Sequence, residues 1–463
     1  VSDWSSDVCS SDLLTKPTVR CVSIIKGVLG NFTPIAMTSN IFTASGTYNG
    51  ITNGAYTTTA SSEYLPSATE YAYKLFDKNS NTTWWTTATA SYSNNKVYAG
   101  SYSTTIDTIP YYGEWAQIQL PVPVILSSYQ LYNASSWPNR APSNFKIAGS
   151  FDGSTWVTVD TQTSISWNNI TNITFSVSNI KTPYSYYRLC VNQTYNNIND
   201  YYLSIGEWVL SGYNSQNQTG TSQDFYADRL GNLFTSLNNG VLLNTWLNGV
   251  YGYVTKLYDQ SINGYDASQG TPLNQPIILP ATKGPGYMLV YTGNNSLNFG
   301  TYDLLNNKNY TTCGVVRRTT VPAIENYYLC GANASGTTDR YFHSGYRYSG
   351  TLTLAHYSDD TNLSIPTFLT TLTEPVAYNY LMVGSNLSGR LYSYSSGTIY
   401  STTRTYLAYL NQPAGAFFSI GSGFRSFTGE IYEILIFNQS LYDIDTTTTI
   451  TTIYNNQKSQ YGL

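Results

Sequence analysis

Short runs of alternating apolar and polar residues dominate this chain, and turn-forming residues separate them. In 114–120, Ala116, Ile118 and Leu120 alternate with Trp115, Gln117 and Gln119. That is the period of a strand with one buried face. In 144–160, Phe145 and Ile147 alternate with polar or small residues, Asp152-Gly153 interrupts, and a second β-rich run returns over 155–160. Asp-Gly between two such runs predicts a hairpin. Segments rich in Val, Ile, Thr and Tyr recur to the C-terminus, which predicts β-sandwiches rather than βαβ units. Helical pattern is scarce. Over 224–238, Phe225, Leu230, Leu233, Phe234 and Leu237 form one apolar stripe and predict a helix. Over 440–463 a helix is expected to start near Asp443; its threonines are poor helix formers, so packing has to hold it.

The same pattern divides the chain. Residues 33–213 form a first β-rich block, the polar stretch 214–223 is a linker, and 224–463 form a second block. The expected fold class is all-β: two β-sandwich (jelly-roll) domains in tandem, with a short C-terminal helix. Residues 1–32 are an artefactual or uncertain lead-in. Within them, 2–13 have no apolar period and are dense in Ser and Asp. They reverse-translate into one reading frame of a widely used short-read sequencing adapter, so they are set aside from fold reasoning. Cys9 then leaves the cysteine count, and the missing signal peptide carries no meaning.

Composition narrows the chemistry. Of 463 residues, only 10% are charged while 15% are aromatic, with 45 tyrosines. Hydroxyls and amides must therefore form much of the surface, which suits sugars: they exchange hydrogen bonds with hydroxyls, and aromatic faces stack on sugar C–H groups. The net charge of −4 and the lack of a basic cluster argue against nucleic acid. No apolar run reaches the ~18 residues of a membrane helix. The two histidines, His343 and His356, read as ordinary strand or loop residues, which disfavours a Ser-His-Asp centre or a His-rich zinc site. No CxxC spacing occurs among Cys9, Cys21, Cys190, Cys313 and Cys330; Cys313 and Cys330 are either a disulfide or free buried thiols.

The segments 57–64, 72–85, 113–120, 139–159, 186–191 and 205–213, in that order, carry a resemblance of the first block to the discoidin family (coagulation factor five/eight type C). That family has the galactose-binding-like sandwich shared by many carbohydrate-binding modules. The loop 76–83 gathers Asp77, Asn79, Asn81 and Thr82, hard oxygen groups that suit calcium or a plain Asx-turn. The resemblance implies a structural calcium here, with Glu207 of "IGEW" as a further ligand. The family favours glycine where this chain has Lys78 or Asn79, which puts the backbone ligands in question. Carbohydrate candidates come from the loops. Trp137 is a platform and Arg140 a hydroxyl-binding fork in "SSWPNRAP", and Tyr111 and Tyr112 belong to the Tyr-rich insertion 91–115. Trp137 and Arg140 equally suit packing. One of Trp84 and Trp85 is core.

The second block resembles the concanavalin A-like sandwich in its laminin G-like branch, through "FTGEIYEILIFNQSLYD" (427–443). Its start, 228–279, is similar to the opening of arabinofuranosidase B-type catalytic domains. Inside that opening, Asp259, Ser261, Asn263 and Asp266 place oxygen groups around Gly264. The spacing fits a small calcium loop or a turn in which both aspartates cap backbone N–H groups, and the turn reading is preferred. A glycosidase needs two carboxylates across the scissile bond. Glu430 and Glu433 lie three apart on a strand and should face opposite ways. Asp339, Asp359 and Asp360 are other acids, with nothing to single them out.

The expectation is a non-catalytic glycan-binding and adhesion protein, secreted or on a virion or phage surface. Its partners would be glycans or glycoproteins on a cell surface, with no nucleic acid and no membrane insertion. Calcium would stiffen its loops, and oligomerisation would supply avidity. The alternatives are an α-L-arabinofuranosidase-type hydrolase in the second domain and a purely structural fibre or capsid module.

Overall fold

A computed structural model describes residues 19–463 except 33–35, 45–53, 68, 179–181, 197–199, 228–231, 237–239, 261–263, 301–304, 306–307, 320–324, 332–340, 348–350, 358–360, 366–375, 384–387, 396–397, 405–409, 411–417, 422–426, 438–440 and 442–447. The adapter-like stretch, Ser261, Asn263, Asp339, Asp359 and Asp360 lie outside the described residues. The protein is all-β, with large antiparallel sheets and a C-terminal helix at Thr448–Tyr461. Among the described residues no helix is long and apolar enough to cross a membrane.

Two units form, and they are not simply in tandem. One is Gly27–Asn217; the other combines Val1–Lys26 with Gln218–Leu463. The first β-rich block is therefore an insertion in the second. Residues from Val19 onward are not a lead-in: the strand Val19–Gly27 pairs antiparallel with Gly252–Leu257, and Val22 and Ile24 are buried. The returning strand, Gln218–Ala227, neighbours it in the same sheet. The sequence expectation of a linker over 214–223 and a helix over 224–238 is corrected here. Tyr226 pairs with Phe234 and Ala227 with Leu233, so Phe225 lies on one strand and Leu233 and Phe234 on its partner, while Leu230 and Leu237 lie outside the described residues. Phe225, 0% exposed, points into the core. Short apolar runs fit either period, and sheet partners decide between them.

In the inserted unit one 20-residue strand, Glu114–Asn133, belongs to both sheets. Its first half pairs with Gly54–Ala60 and Tyr184–Thr194, its second with Asn172–Ser176 and Ser204–Tyr213. Ala116, Ile118 and Leu120 are buried, as their alternation predicts. Pro121 and Pro123 stand near the crossing, where the ladder register shifts between Tyr184 and Tyr186; proline has no N–H to lose there. The predicted hairpin forms from Pro142–Ser150 and Val157–Gln162. Gly153 at its turn has φ of 76°, a region glycine enters without steric cost. Trp85 and Trp208 are fully buried in the core.

In the other unit Thr311–Arg318 lies between Val376–Val383 and Thr428–Phe437. Cys313 and Cys330 are buried, and no disulfide joins them. His343 is buried and stacks on Tyr327. The C-terminal helix is held by packing: Tyr454, Gln457 and Tyr461 form its buried stripe, and Gln457 Nε2 donates to Glu433 Oε2 at 2.8 Å. Gly462, at φ of 64°, closes it by donating to Lys458 O.

Phe225 separates a strand from a linker experimentally. Phe225→Ala is expected to destabilise the chain by about 3–5 kcal/mol in urea unfolding, whereas a linker or surface position would change by only about 0.5 kcal/mol.

Candidate functional site

The loop 134–141 of the inserted unit presents an aromatic face on a pinned backbone. Trp137 N donates to Ala134 O and Arg140 N to Trp137 O. Asn196 N donates to Asn139 O, and Tyr195 N to Ala141 O. Trp137 is 42% exposed. Beneath it, the Arg140 guanidinium lies 3.9 Å from the indole centroid and 5.0 Å from the Tyr202 ring. Arg140 Nε and Nη2 donate to the two carboxylate oxygens of Asp200 at 2.6 and 2.7 Å. Arg140 is therefore not the solvent-facing fork expected of it. It is buried, its fork is filled by Asp200, and it acts as a strut for Trp137. Tyr64 packs edge-on against Tyr202, and the neighbouring Leu65 is 68% exposed. Asp200, Tyr202 and Tyr64 were not singled out in the sequence. The Tyr-Tyr pair 201–202 following an acid, just before the strand Ser204–Tyr213, was the available signal.

Tyr111 and Tyr112 do not join this group. They end the hairpin formed by Ser103–Ile106 and Ile109–Tyr112. Asp107 and Thr108 make its turn with φ of 51° and 70°. The Asp107 carboxylate accepts from Thr158 N and Thr158 Oγ1, so the turn is fastened to the sheet. Tyr111 packs against a small core of Ile106, Ala148, Trp156 and Cys190, and burial raises its phenol pKa well above the usual value. Tyr112 is 55% exposed. The Tyr-rich insertion is thus largely a covering hairpin rather than a free binding loop. Arg188 supports that cover, lying between the rings of Trp115 and Trp156 and donating to Thr104 and Gln117.

The loop around Asp77 does meet Glu207. Asp77 Oδ1 accepts from Asn79 N, and Asp77 Oδ2 from Thr83 Oγ1. Asn79 Nδ2 donates to Thr82 Oγ1. Lys78 N donates to Glu207 Oε1 at 3.2 Å. Lys78 itself takes φ of 61°, so the left-handed turn that favours glycine forms here with lysine. Glu207 is 4% exposed, and its Oε2 is buried without a hydrogen-bond partner. Burial first, then the negative charge of Asp77, pushes its carboxyl up to about 8. A buried acceptor left unmatched beside a second carboxylate fits a cation. One feature competes with it: Lys74 Nζ lies 3.3 Å from Asp77 Oδ2. Among the described residues no three His, Cys, Asp or Glu side chains cluster, so a cation here would also need neutral oxygens. The loop is linked to the platform, because Ser135 Oγ donates to Asn81 O at 2.6 Å.

In the other unit, Asp259 Oδ2 accepts from Tyr265 N and Asp266 Oδ1 from Asp259 N, the capped turn that was preferred. Lys256 Nζ sits 2.7 Å from Asp266 Oδ2 and occupies an oxygen that a calcium would need. The expectation that Glu430 and Glu433 face opposite ways is corrected. The register shifts between Val315 and Val316, with Glu433 opposite Val315 and Glu430 opposite Arg317, so a bulge returns both to one face. Both are buried and engaged: Arg317 and Tyr432 hold Glu430, and Gln457 holds Glu433. Glu433 thereby anchors the C-terminal helix.

No protein-family model matches the chain, and no curated protein does. Solved structures are similar to part of it. The family 32 CBM of Clostridium perfringens NanJ, solved in complex with galactose, is 15% identical, covering 40% of this chain and 99% of its own, with a TM-score of 0.25. The F5/8 type C domain of a Bacteroides fragilis protein is 17% identical, covering 34% and 91%, with a TM-score of 0.26. Chitosan-binding module 1 of a Paenibacillus sp. IK-5 chitosanase/glucanase is 20% identical, covering 34% and 94%, with a TM-score of 0.24.

Proposed function

We propose that this chain binds glycans without catalysis, through the Trp137 surface of the inserted unit. The observation that carries the reading is an exposed indole held from below by a buried arginine whose own hydrogen bonds are satisfied. The stack on Arg140 contributes only about 0.5–1 kcal/mol to stability and still leaves the outer face of the indole in water; a ligand that stacks on that face gains from the preorganisation. Sugar C–H faces suit the ring, and the hydroxyls and amides of the surrounding surface suit sugar hydroxyls. Single-site affinity for so open a surface is weak, so several copies acting together supply avidity. Cell-surface and secreted glycans lie outside cells, which makes an extracellular or virion-surface location part of the same reading.

Calcium belongs to this proposal as a stiffener. Asp77 and Glu207 would hold it, with Asn79 and Thr82 supplying neutral oxygens. When bound, the ion supplies fixed positive charge to a loop that lacks it. The link from Asn81 to Ser135 then carries that rigidity toward Trp137.

Trp137→Ala is expected to weaken glycan binding by at least about tenfold, equivalent to about 1.4 kcal/mol, while unfolding stability falls by only about 0.5–1 kcal/mol through the lost stack on Arg140. Equal binding by the variant on a glycan array would contradict the assignment. Asp200→Ala should weaken binding too, and should also lower stability, because it strands a buried cation.

Glu207 makes stability pH-dependent with a defined sign. Its folded pKa of about 8 lies above the ordinary value of 4.5. Between these pH values the unfolded state has lost the proton that the folded state keeps, so stability is highest below 4.5 and falls as pH rises to 8. The slope is about 1.4 kcal/mol per pH unit at most. Glu207→Gln should flatten this part of the urea-unfolding profile. Calcium added to the wild type at pH 7 should release about one proton, measured by calorimetry in buffers of different ionisation enthalpy. The variant should release none.

A further inference from the structure

We infer a second carbohydrate site, in the other unit: a polar cleft that takes a neutral oligosaccharide independently of Trp137. The cleft has a volume of roughly 870 Å³, the size of small-ligand sites in general. It is built where the strand Val19–Gly27 runs beside both Gln218–Ala227 and Gly252–Leu257. On Gln218–Ala227, Gln218, Ser222, Gln223, Asp224 and Tyr226 line it, while Phe225 and Ala227 face the core. The facing strand contributes two consecutive residues, Thr255 and Lys256. A bulge explains this: Ser23 pairs with Lys256 and Ile24 with Val254, leaving Thr255 as the extra residue.

The lining selects the ligand by its chemistry. Three amides form an ordered relay along one wall. Gln218 Nε2 donates to Gln275 Oε1 at 2.6 Å, Gln275 Nε2 to Gln269 O at 3.1 Å, and Gln269 Nε2 to Ser296 O at 3.0 Å. Gln269 and Gln275 are buried, so the relay is fixed before any ligand arrives. The charges of the cleft are already matched. Lys256 pairs with Asp266, and Asp224 accepts from Tyr258 at 2.8 Å beside Arg20 at 3.5 Å. An anionic ligand would need an unmatched cation and a cationic one an unmatched carboxylate, so the cleft favours neither. The Tyr258 ring is already covered by Arg20 and Lys256; what remains on offer is hydroxyls, amides and the ring of Tyr226, which together fit a neutral polyol with C–H faces. A chain with this site and the Trp137 surface is bivalent within one molecule.

The test is a panel of neutral cello-, xylo-, manno-, galacto- and chito-oligosaccharides, with sulfated counterparts, displayed on an array to the full chain. Four proteins are compared: wild type, Trp137→Ala, Tyr226→Ala and Ser222→Trp. Ser222 is exposed, so the tryptophan blocks the cleft without entering the core and covers the case in which Tyr226→Ala misfolds. Trp137→Ala is expected to keep binding to a subset of neutral sugars, and either cleft variant is expected to weaken that subset at least about tenfold. The inference is overturned if no neutral sugar survives Trp137→Ala, if the surviving binding is indifferent to both cleft variants, or if the cleft variants affect only sulfated sugars. Binding wholly indifferent to Trp137→Ala but lost in the cleft variants would sink the Trp137 surface and leave the cleft standing.

Discussion

The inserted unit's candidate site depends on the ion pair between Arg140 and Asp200. It joins the loop after Glu114–Asn133 to the loop before Ser204–Tyr213 through two hydrogen bonds in a fork geometry, the arrangement that gives such pairs direction as well as strength. Arg140 then fills the space under Trp137 and beside Tyr202. Without Asp200 the guanidinium would be a buried charge with no counter-ion, and the indole would lose its support. Rigidity therefore comes from charge pairing beneath the surface, while the surface itself stays aromatic and uncharged.

The same division of labour recurs in the other unit. Lys256–Asp266 and Arg20–Asp224 cancel within the protein, and the amide relay from Gln218 to Ser296 sets orientation. With so few charges in the chain, those at these sites are spent on structure: Lys74 on Asp77, Arg317 on Glu430, Arg188 between two indoles. Glu207 is the exception, a buried carboxyl with one oxygen unmatched. It is the most cation-ready group described.

Much of the fold was legible because its signals are local. Ala116, Ile118 and Leu120 alternate in sequence and are buried in space, and Asp152-Gly153 sits at a real turn. The loop of Asp77 and its distant partner Glu207 also came together as the resemblance implied. What escaped was non-local. Nothing in 19–27 announces that its partner lies at 252–257, so the insertion was invisible. Gln218–Ala227 is polar over its first half because residues 219–222 are exposed to solvent, and polarity alone reads as linker. The bulge near Tyr432 reversed the facing of Glu433, since a single extra residue shifts all later side chains to the other face. For Arg140 the sequence allows either a ligand-binding fork or a packing residue, and it cannot decide between them because it shows the donor and not the Asp200 that fills it.

The most direct measurement is hydroxyl-radical footprinting of the full chain with and without a saturating neutral glycan. The account predicts protection at Trp137 and Tyr202 on binding, with Trp85 and Trp208 unchanged because they are buried in both states. In the Ser222→Trp variant, whose cleft is blocked, a glycan that binds while Trp137 keeps its full reactivity would contradict it.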